Sequence, residues 1–319
     1  MRARRRLSWV ASLLLASAIG CGFFTRTEDP AFRPSPAGEL TARPDDDSLR
    51  VWWIGHATVL VKMGDRWILT DPVFSARLAF FVKRYVAPGI DLHGLPRIDW
   101  VLVSHAHADH LDPPSLRRLN PSANLVVPPG ALPYLPADAP FAGFAALAPW
   151  QSVTQDGVTI TAVPARHADG RWQLDGLWSR QAHTGYVIQH RGLTVYFAGD
   201  TAWDATIFKE IGRRFPGIDL ALIPVGPATR PAVTRWFTDR VHVSPAEAMR
   251  VFEDVGARWM LPIHHGTFFR HGPGERRLIA DAIEGSGRRD RVLMLQIGQA
   301  ATVRAAPAPA PATLAAPAR

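Results

Sequence analysis

The chain has 319 residues, 47% of them hydrophobic and 20% charged, an ordinary globular balance with length enough for one large folded body. The formal charge of +8 falls to +4 when Arg2, Arg4, Arg5 and Arg6 are set aside as part of a removable leader. No basic stripe interleaved with aromatics runs through the sequence, which excludes nucleic acid as an expected partner.

At the N-terminus the basic residues Arg2 to Arg6 precede an apolar stretch, Leu7 to Gly20, too short to span a bilayer comfortably. It ends in Ala18-Ile19-Gly20-Cys21, and Cys21 is the only cysteine, so no intramolecular disulfide can form. A small residue before that cysteine resembles a bacterial lipobox, although Ala18 stands where leucine is commoner. The expectation is a signal and lipobox segment over 1–21 and a chain anchored to the cell envelope by lipid on Cys21, facing the periplasm. Residues 22–48, with Pro30, Pro34, Pro36, Pro44 and the acidic Asp45-Asp46-Asp47, read as a tether. The tail 305–319 is almost all Ala and Pro and offers little to pack, which predicts disorder. The folded body is then 49–304, a single domain.

Within the body, Val51–Ile54, Thr58–Met63 and Trp67–Thr70 read as strands, with turn chemistry at Gly64-Asp65. Residues 74–89 combine Phe74, Leu78, Phe80, Phe81 and Val82 with Lys83 and Arg84. Such a run suits an apolar, cationic flap for a lipid surface, but runs of this kind more often cover the core. Asp99–Ser104 predicts a buried strand, and Pro113–Leu119 a helix opened by proline. Further strands are expected at Leu125–Val127, Val158–Val163, Thr184–Gln189, Leu193–Phe197, Asp219–Ile223 and Trp259–Ile263. Helices are expected at Ala205–Arg214 and Pro245–Val255, the second with Ser244 as N-cap and Glu247 three residues on. Hairpins mixed with helices predict an α/β layered fold.

The strand ending at Val103 delivers the densest chemical signal, Ser104-His-Ala-His-Ala-Asp-His-Leu-Asp112. His105, His107, Asp109 and His110 crowd into six positions. Buried without an ion, several of these groups would stay unpaired at about 1–3 kcal/mol each; imidazole nitrogen and carboxylate oxygen are good zinc ligands. Other polar groups also follow strands: Asp71, His167 after Pro164-Ala165-Arg166, Asp200 after Gly199, and His264-His265 before Gly266-Thr267. Loops at one edge of packed sheets can gather such groups on a rigid scaffold.

This order of motifs resembles the metallo-β-lactamase superfamily over about 51–270. The finer likeness is to the N-acylphosphatidylethanolamine-hydrolysing phospholipase D group and its bacterial relatives. It is carried by Trp53-Ile54-Gly55-His56-Ala57-Thr58, Leu69-Thr70-Asp71-Pro72-Val73-Phe74-Ser75, Phe208 to Phe215, and Ile263-His-His-Gly-Thr-Phe268. The resemblance implies an αββα metallo-β-lactamase sandwich with two zinc ions along one edge. By position it places His105, His107 and His167 on one ion, Asp109, His110 and His264 on the other, and Asp200 between them. His264 rather than His265 matches the pattern. Iron or manganese accepts the same donors. The implied chemistry is hydrolysis by a metal-activated hydroxide shared between the ions, with Asp109 and His242 as candidate catalytic residues. Asp71 is a candidate acceptor for a ligand's ring N–H; His56 either lines the site or bonds locally, and Thr267 and Tyr186 stay outside the set.

The expected substrate is a phospholipid or other phosphodiester, with lactones or esters as the alternative on the same scaffold. A non-catalytic, metal-stabilised envelope binder is the rival from another class. Residues 169–183 depart from the phospholipase group, residues 226–239 form a longer loop than its counterpart there, and Ser244 replaces an acidic residue.

Overall fold

The computed structural model describes residues 40, 48–78, 82–168, 170–171, 181–229, 232–268 and 273–304. The expected leader, nearly all of the tether and the Ala/Pro tail lie outside the described residues, as do Phe80 and Phe81.

The first sheet is built from β1 (Ser48–Gly55), β2 (Thr58–Met63) and β3 (Arg66–Thr70). The short hairpin β4 (Arg77–Leu78) and β5 (Val82–Lys83) stands apart from it. Then come β6 (Trp100–Leu102), helix α1 (Pro113–Leu116), β7 (Asn124–Val127) and β8 (Gly143–Ala146). The second sheet takes β9 (Ser152–Gln155), β10 (Val158–Val163), β11 (Gly185–His190) and β12 (Leu193–Phe197). Helix α2 (Ala205–Arg214) leads to β13 (Leu220–Pro224), α3 (Ala232–Val241) and α4 (Pro245–Asp254), and β14 (Trp259–Ile263) closes that sheet. Helix α5 (Pro273–Gly285) follows, and β15 (Ala300–Arg304) returns to the first sheet. The sheet orders are β15-β1-β2-β3-β6-β7-β8 and β14-β13-β12-β11-β10-β9.

Alternation along the strands makes the layers, because successive side chains leave opposite faces. Val51, Trp53, Val59, Val61, Ile68, Trp100 and Leu102 of the first sheet meet Ile160, Ala162, Tyr186, Ile188, Val195, Phe197, Leu222 and Leu261 of the second in one buried core. The interleaved residues Trp52, Ile54, Leu60, Leu69, Val101, Val103 and Val127 face outward under Leu116, Leu119 and Ala131. Their counterparts Val187, Tyr196, Ala221, Ile223 and Met260 lie under Phe208 and Ile211 of α2, Val251 and Phe252 of α4, and Ile279 and Ile283 of α5. Strands apolar on both faces are what a doubly covered sheet requires. The result is the αββα sandwich.

The structure revises two readings and decides a third. The helix expected over 113–119 is regular only to Leu116, since Arg118 and Leu119 bond back three residues in tighter turns before Asn120-Pro121, where proline disfavours helix. The described part of 74–89 covers the core: Leu78 is buried against Val73 and Phe268, and the buried Arg84 donates to the carbonyls of Ser75 and Val73. The 226–239 segment, read as a loop, contains helix α3.

Each sheet is antiparallel in its first half and parallel in its second: β3, β6, β7 and β8 run parallel, as do β12, β13 and β14. The C-terminal ends of β3, β6, β12 and β14 lead into Asp71, His105, Asp200 and His264. This shared edge is where the polar loops converge.

Candidate metal centre

Two clusters of donor atoms lie side by side at that edge. In the first, His107 Nδ1 is 2.9 Å from His105 Nε2 and 3.1 Å from His167 Nε2. In the second, His264 Nε2 stands 3.0 Å from Asp200 Oδ2 and 3.6 Å from Asp109 Oδ2, with His110 Nε2 at 3.3 Å and 3.7 Å from the same two oxygens. Asp200 Oδ2 also lies 3.9 Å from His167 Nε2 and so stands between the clusters. All seven side chains expected as ligands are thereby brought together.

Hydrogen bonds on the far sides of the rings decide which nitrogens face inward. Asp71, at the end of β3, accepts from the Ser104 N–H at 2.7 Å, from Ser104 Oγ at 2.6 Å and from His110 Nδ1 at 2.5 Å. Ser104 spends its proton on Asp71, so its oxygen is left to accept from His105 Nδ1 at 2.9 Å. His167 Nδ1 donates to the carbonyl of Val241 at 2.6 Å. His105, His110 and His167 therefore each turn a bare Nε2 toward the centre, the tautomer a metal ligand needs.

The same geometry passes a direct test for a cation. His110 Nε2, both ring nitrogens of His264 and Asp200 Oδ1 are buried without an aligned hydrogen bond. Nitrogen and carboxylate lone pairs facing one another at about 3–4 Å are costly when dry and are satisfied by an ion between them. Three imidazoles in one cluster, and two imidazoles with two carboxylates in the other, are nitrogen and oxygen donors suited to zinc or another transition metal.

The electrostatics divide along the same line. Burial, reinforced by the neighbouring histidines, holds His105 and His167 well below the usual imidazole range and lowers His107 as well. These three rings are neutral, as ligands must be. Burial opposes charge on His110 and His264 too, but there the carboxylates of Asp200 and Asp109 prevail; His110 is raised well above its ordinary value and His264 is pushed up to about 9. Burial would raise Asp109 and Asp200, yet the facing histidines hold both well below the carboxylate range. The two aspartates thus demand positive charge at this spot.

Residues around the clusters take distinct places. His56, in the turn between β1 and β2 with φ of 56°, is pushed down to about 3, chiefly by burial. It therefore donates from Nε2 to Asp109 Oδ2 at 3.0 Å, and its ring lies against that of His264, tilted by 40° with centroids 4.0 Å apart. Thr267 Oγ1 accepts the His56 N–H at 2.7 Å, and the His56 carbonyl accepts from the His264 N–H at 3.0 Å. His265 points elsewhere, against the Trp53 ring at 4.4 Å. His242, between α3 and α4, brings Nδ1 to 3.6 Å from Asp200 Oδ2 and is half-buried. Tyr186 donates to the Val103 carbonyl at 2.9 Å inside the core. The reading from residue types passed over Ser104 and Arg171, whose guanidinium donates to the carbonyls of Ala106 and Leu111 and props the histidine loop. Ser104's place beside His105 was the available signal for the first; Arg171 carried none.

The Beta-lactamase superfamily domain model matches residues 66–265. The chain is 35% identical over 253 residues to N-acyl-phosphatidylethanolamine-hydrolyzing phospholipase D 1 of Caenorhabditis elegans, covering 73% of this chain and 68% of that protein. It is 30% identical to the mitochondrial enzyme of the same description from Saccharomyces cerevisiae, but spans only 54% of that protein's length against 77% of its own. A UPF0173 metal-dependent hydrolase of Thermococcus kodakarensis is 29% identical, with 79% of this chain and 98% of that protein covered. Among solved structures, the metallo hydrolase Igni18 of Ignicoccus hospitalis superposes with a TM-score of 0.58 at 19% identity, covering 80% and 98% of the two chains. The diiron β-hydroxylase CmlA of Streptomyces venezuelae gives 0.58 at 16%, covering 82% and 54%. With the sandwich, the two donor clusters at its edge and these relatives in view, the chain belongs to the metallo-β-lactamase superfamily and is a metal-dependent hydrolase.

Proposed function

We propose that the protein is a phosphodiesterase of phospholipase D type, acting on N-acylated or related phospholipids with two zinc ions at the sheet edge. One ion is assigned to His105, His107 and His167, the other to Asp109, His110 and His264, with Asp200 shared. The observation that carries this reading is the donor set itself: seven side chains whose nitrogen and oxygen donor atoms converge, seated in a chain 35% identical to the nematode phospholipase. Two ions so held supply an acidified water and polarise an oxygen of the substrate.

The remaining work falls to the protein's own groups. Asp71 and Ser104 keep three histidine and backbone groups in register, and His56 holds the Asp109 carboxylate. His242, pushed down to about 4 by burial, is neutral and sits at the margin of the centre, where it is assigned to orienting the leaving group, or to taking the attacking water's proton and passing it to the leaving oxygen. No thiol enters this scheme, since the only cysteine is Cys21. Lipid attachment at Cys21 would hold the body beside its substrate, and incorporation of labelled fatty acid that disappears in Cys21→Ser checks that assignment.

The deciding experiment is a substrate panel. Metal-loaded protein is given an N-acylated phospholipid, a chromogenic phosphodiester, and lactones. Release of a phosphatidic acid, abolished in Asp109→Ala and His264→Ala, is the expected result. Turnover of lactones alone would overturn the phosphodiesterase assignment, and no turnover with intact metal content would favour the binder.

A further inference from the structure

We infer that helix α3 is a docking surface for a lipid bilayer, seating the protein on the membrane beside its metal centre. This inference rests on the phospholipase reading for its purpose, but the observations that carry it are independent of catalysis. Trp236, at 66%, is the most exposed large apolar side chain among the described residues. It stands between two exposed arginines, Arg235 and Arg240. Arg240 lies over the indole at 5.6 Å and donates to the Trp236 carbonyl at 3.3 Å, so cation and ring are presented together. Phe237 adds a second, partly exposed ring 6.0 Å from the indole.

The helix is also tied to the centre. Its last residue, Val241, accepts from His167, and the next is His242. At 1.5 Å of rise per residue, Trp236 lies about 7–8 Å along the axis from Val241. The helix thus runs up to the margin of the metal centre. Arg166, exposed and adjacent to His167, contributes a further cation on the same margin.

Chemistry selects the occupant. Indole rings settle at the headgroup level of a bilayer, apolar face inward and N–H toward water. Guanidinium groups beside them pair with lipid phosphates in bidentate fashion. Asp239 is the only acid in 235–240, which leaves that stretch net positive and complementary to anionic headgroups. A second copy of the chain would bring the same cations face to face. The described part of 74–89, the other apolar and cationic run, is folded onto the core.

The test uses the full, zinc-loaded chain and vesicles of phosphatidylcholine with one part in four phosphatidylglycerol, brominated on the acyl chains. Bromine quenches an indole that enters the bilayer. The wild type should lose emission that Trp236→Phe does not lose, and Arg235→Ala with Arg240→Ala should weaken the effect most at low salt. Trp236→Ala should also lower turnover of vesicle phospholipid by about tenfold relative to the same phosphodiester with short, water-soluble chains. The inference is overturned if brominated vesicles leave the wild type unquenched, or quench wild type and Trp236→Phe alike. It is equally overturned if sedimentation shows Trp236→Ala dissolving a dimer that lipid does not disturb. Quenching at Trp236 without phosphodiester turnover would instead count against the phospholipase reading while leaving the docking surface standing.

Discussion

Single atoms decide how the histidines of this centre present themselves, and Asp71 illustrates how far one carboxylate reaches. It holds His110 directly and His105 through Ser104, so donors assigned to both ions depend on it. Its φ of 33° is a conformation that asparagine tolerates nearly as well. Asp71→Asn should therefore keep the turn and one acceptor oxygen while replacing the second, which serves Ser104 Oγ and His110, with an NH2 donor, and weaken metal binding by about 10–100-fold. Chelator competition measures this; an unchanged affinity would show that the tautomers are set elsewhere. His56 donates its ring N–H to Asp109 and lies against His264. His56→Ala and His56→Gln share the cost of a left-handed residue, since φ is 56° there, but only glutamine can still donate. Metal content in the alanine variant should fall toward one ion per chain, with glutamine retaining more; elemental analysis distinguishes the two.

Elements bring those atoms together, and one tight constraint lies where β12 runs into Asp200. Gly199 has φ of 60°, and a Cβ there would lie 2.6 Å from the Ser104 Cβ and 3.1 Å from the Thr184 carbonyl oxygen. Left-handed backbone costs a non-glycine residue about 1–2 kcal/mol, and overpacking about 1–3 kcal/mol more. Gly199→Ala should destabilise the fold by about 2–5 kcal/mol, read from the urea midpoint. It should also push the Asp200 strand away from the His105 strand. Ser244, which departs from the phospholipase pattern, has a structural explanation at this scale. It caps α4 and exchanges bonds with Glu247, stabilising the helix that follows His242.

Across the whole molecule, the donors come from both sheets: Asp71 and the His105 loop from the first, and His167, Asp200 and His264 from the second. Ions bound there cross-link the two halves of the sandwich, and their binding free energy adds to its stability. An ion at 100 times its dissociation constant contributes about 2.7 kcal/mol, which for a domain of this size is about 5–10 °C in Tm. Chelator treatment should lower the melting temperature by that order, and zinc should restore it. Magnesium, which prefers an all-oxygen octahedron, should not. A melting temperature indifferent to chelation would place the ions outside the stabilising framework.

Local pattern carried much of this: the apolar runs of β1, β2, β12 and β13, the capping signal at Ser244, and four metal-binding residues within 105–110. Those features depend on neighbours in the chain, and their physics is complete at short range. The assignment between His264 and His265 is different, because two adjacent histidines look alike until β14 and the His56 turn aim one ring at Asp200 and leave the other on Trp53. Likewise the 74–89 run suits either a lipid flap or a core cover until Phe268 settles Leu78 and Arg84 on the core. Residues 226–239 read as loop until the tertiary structure holds the end of α3 against His167. In each case the deciding partner lies tens or hundreds of residues away, where no window of sequence can weigh a contact that only the packed sheets create.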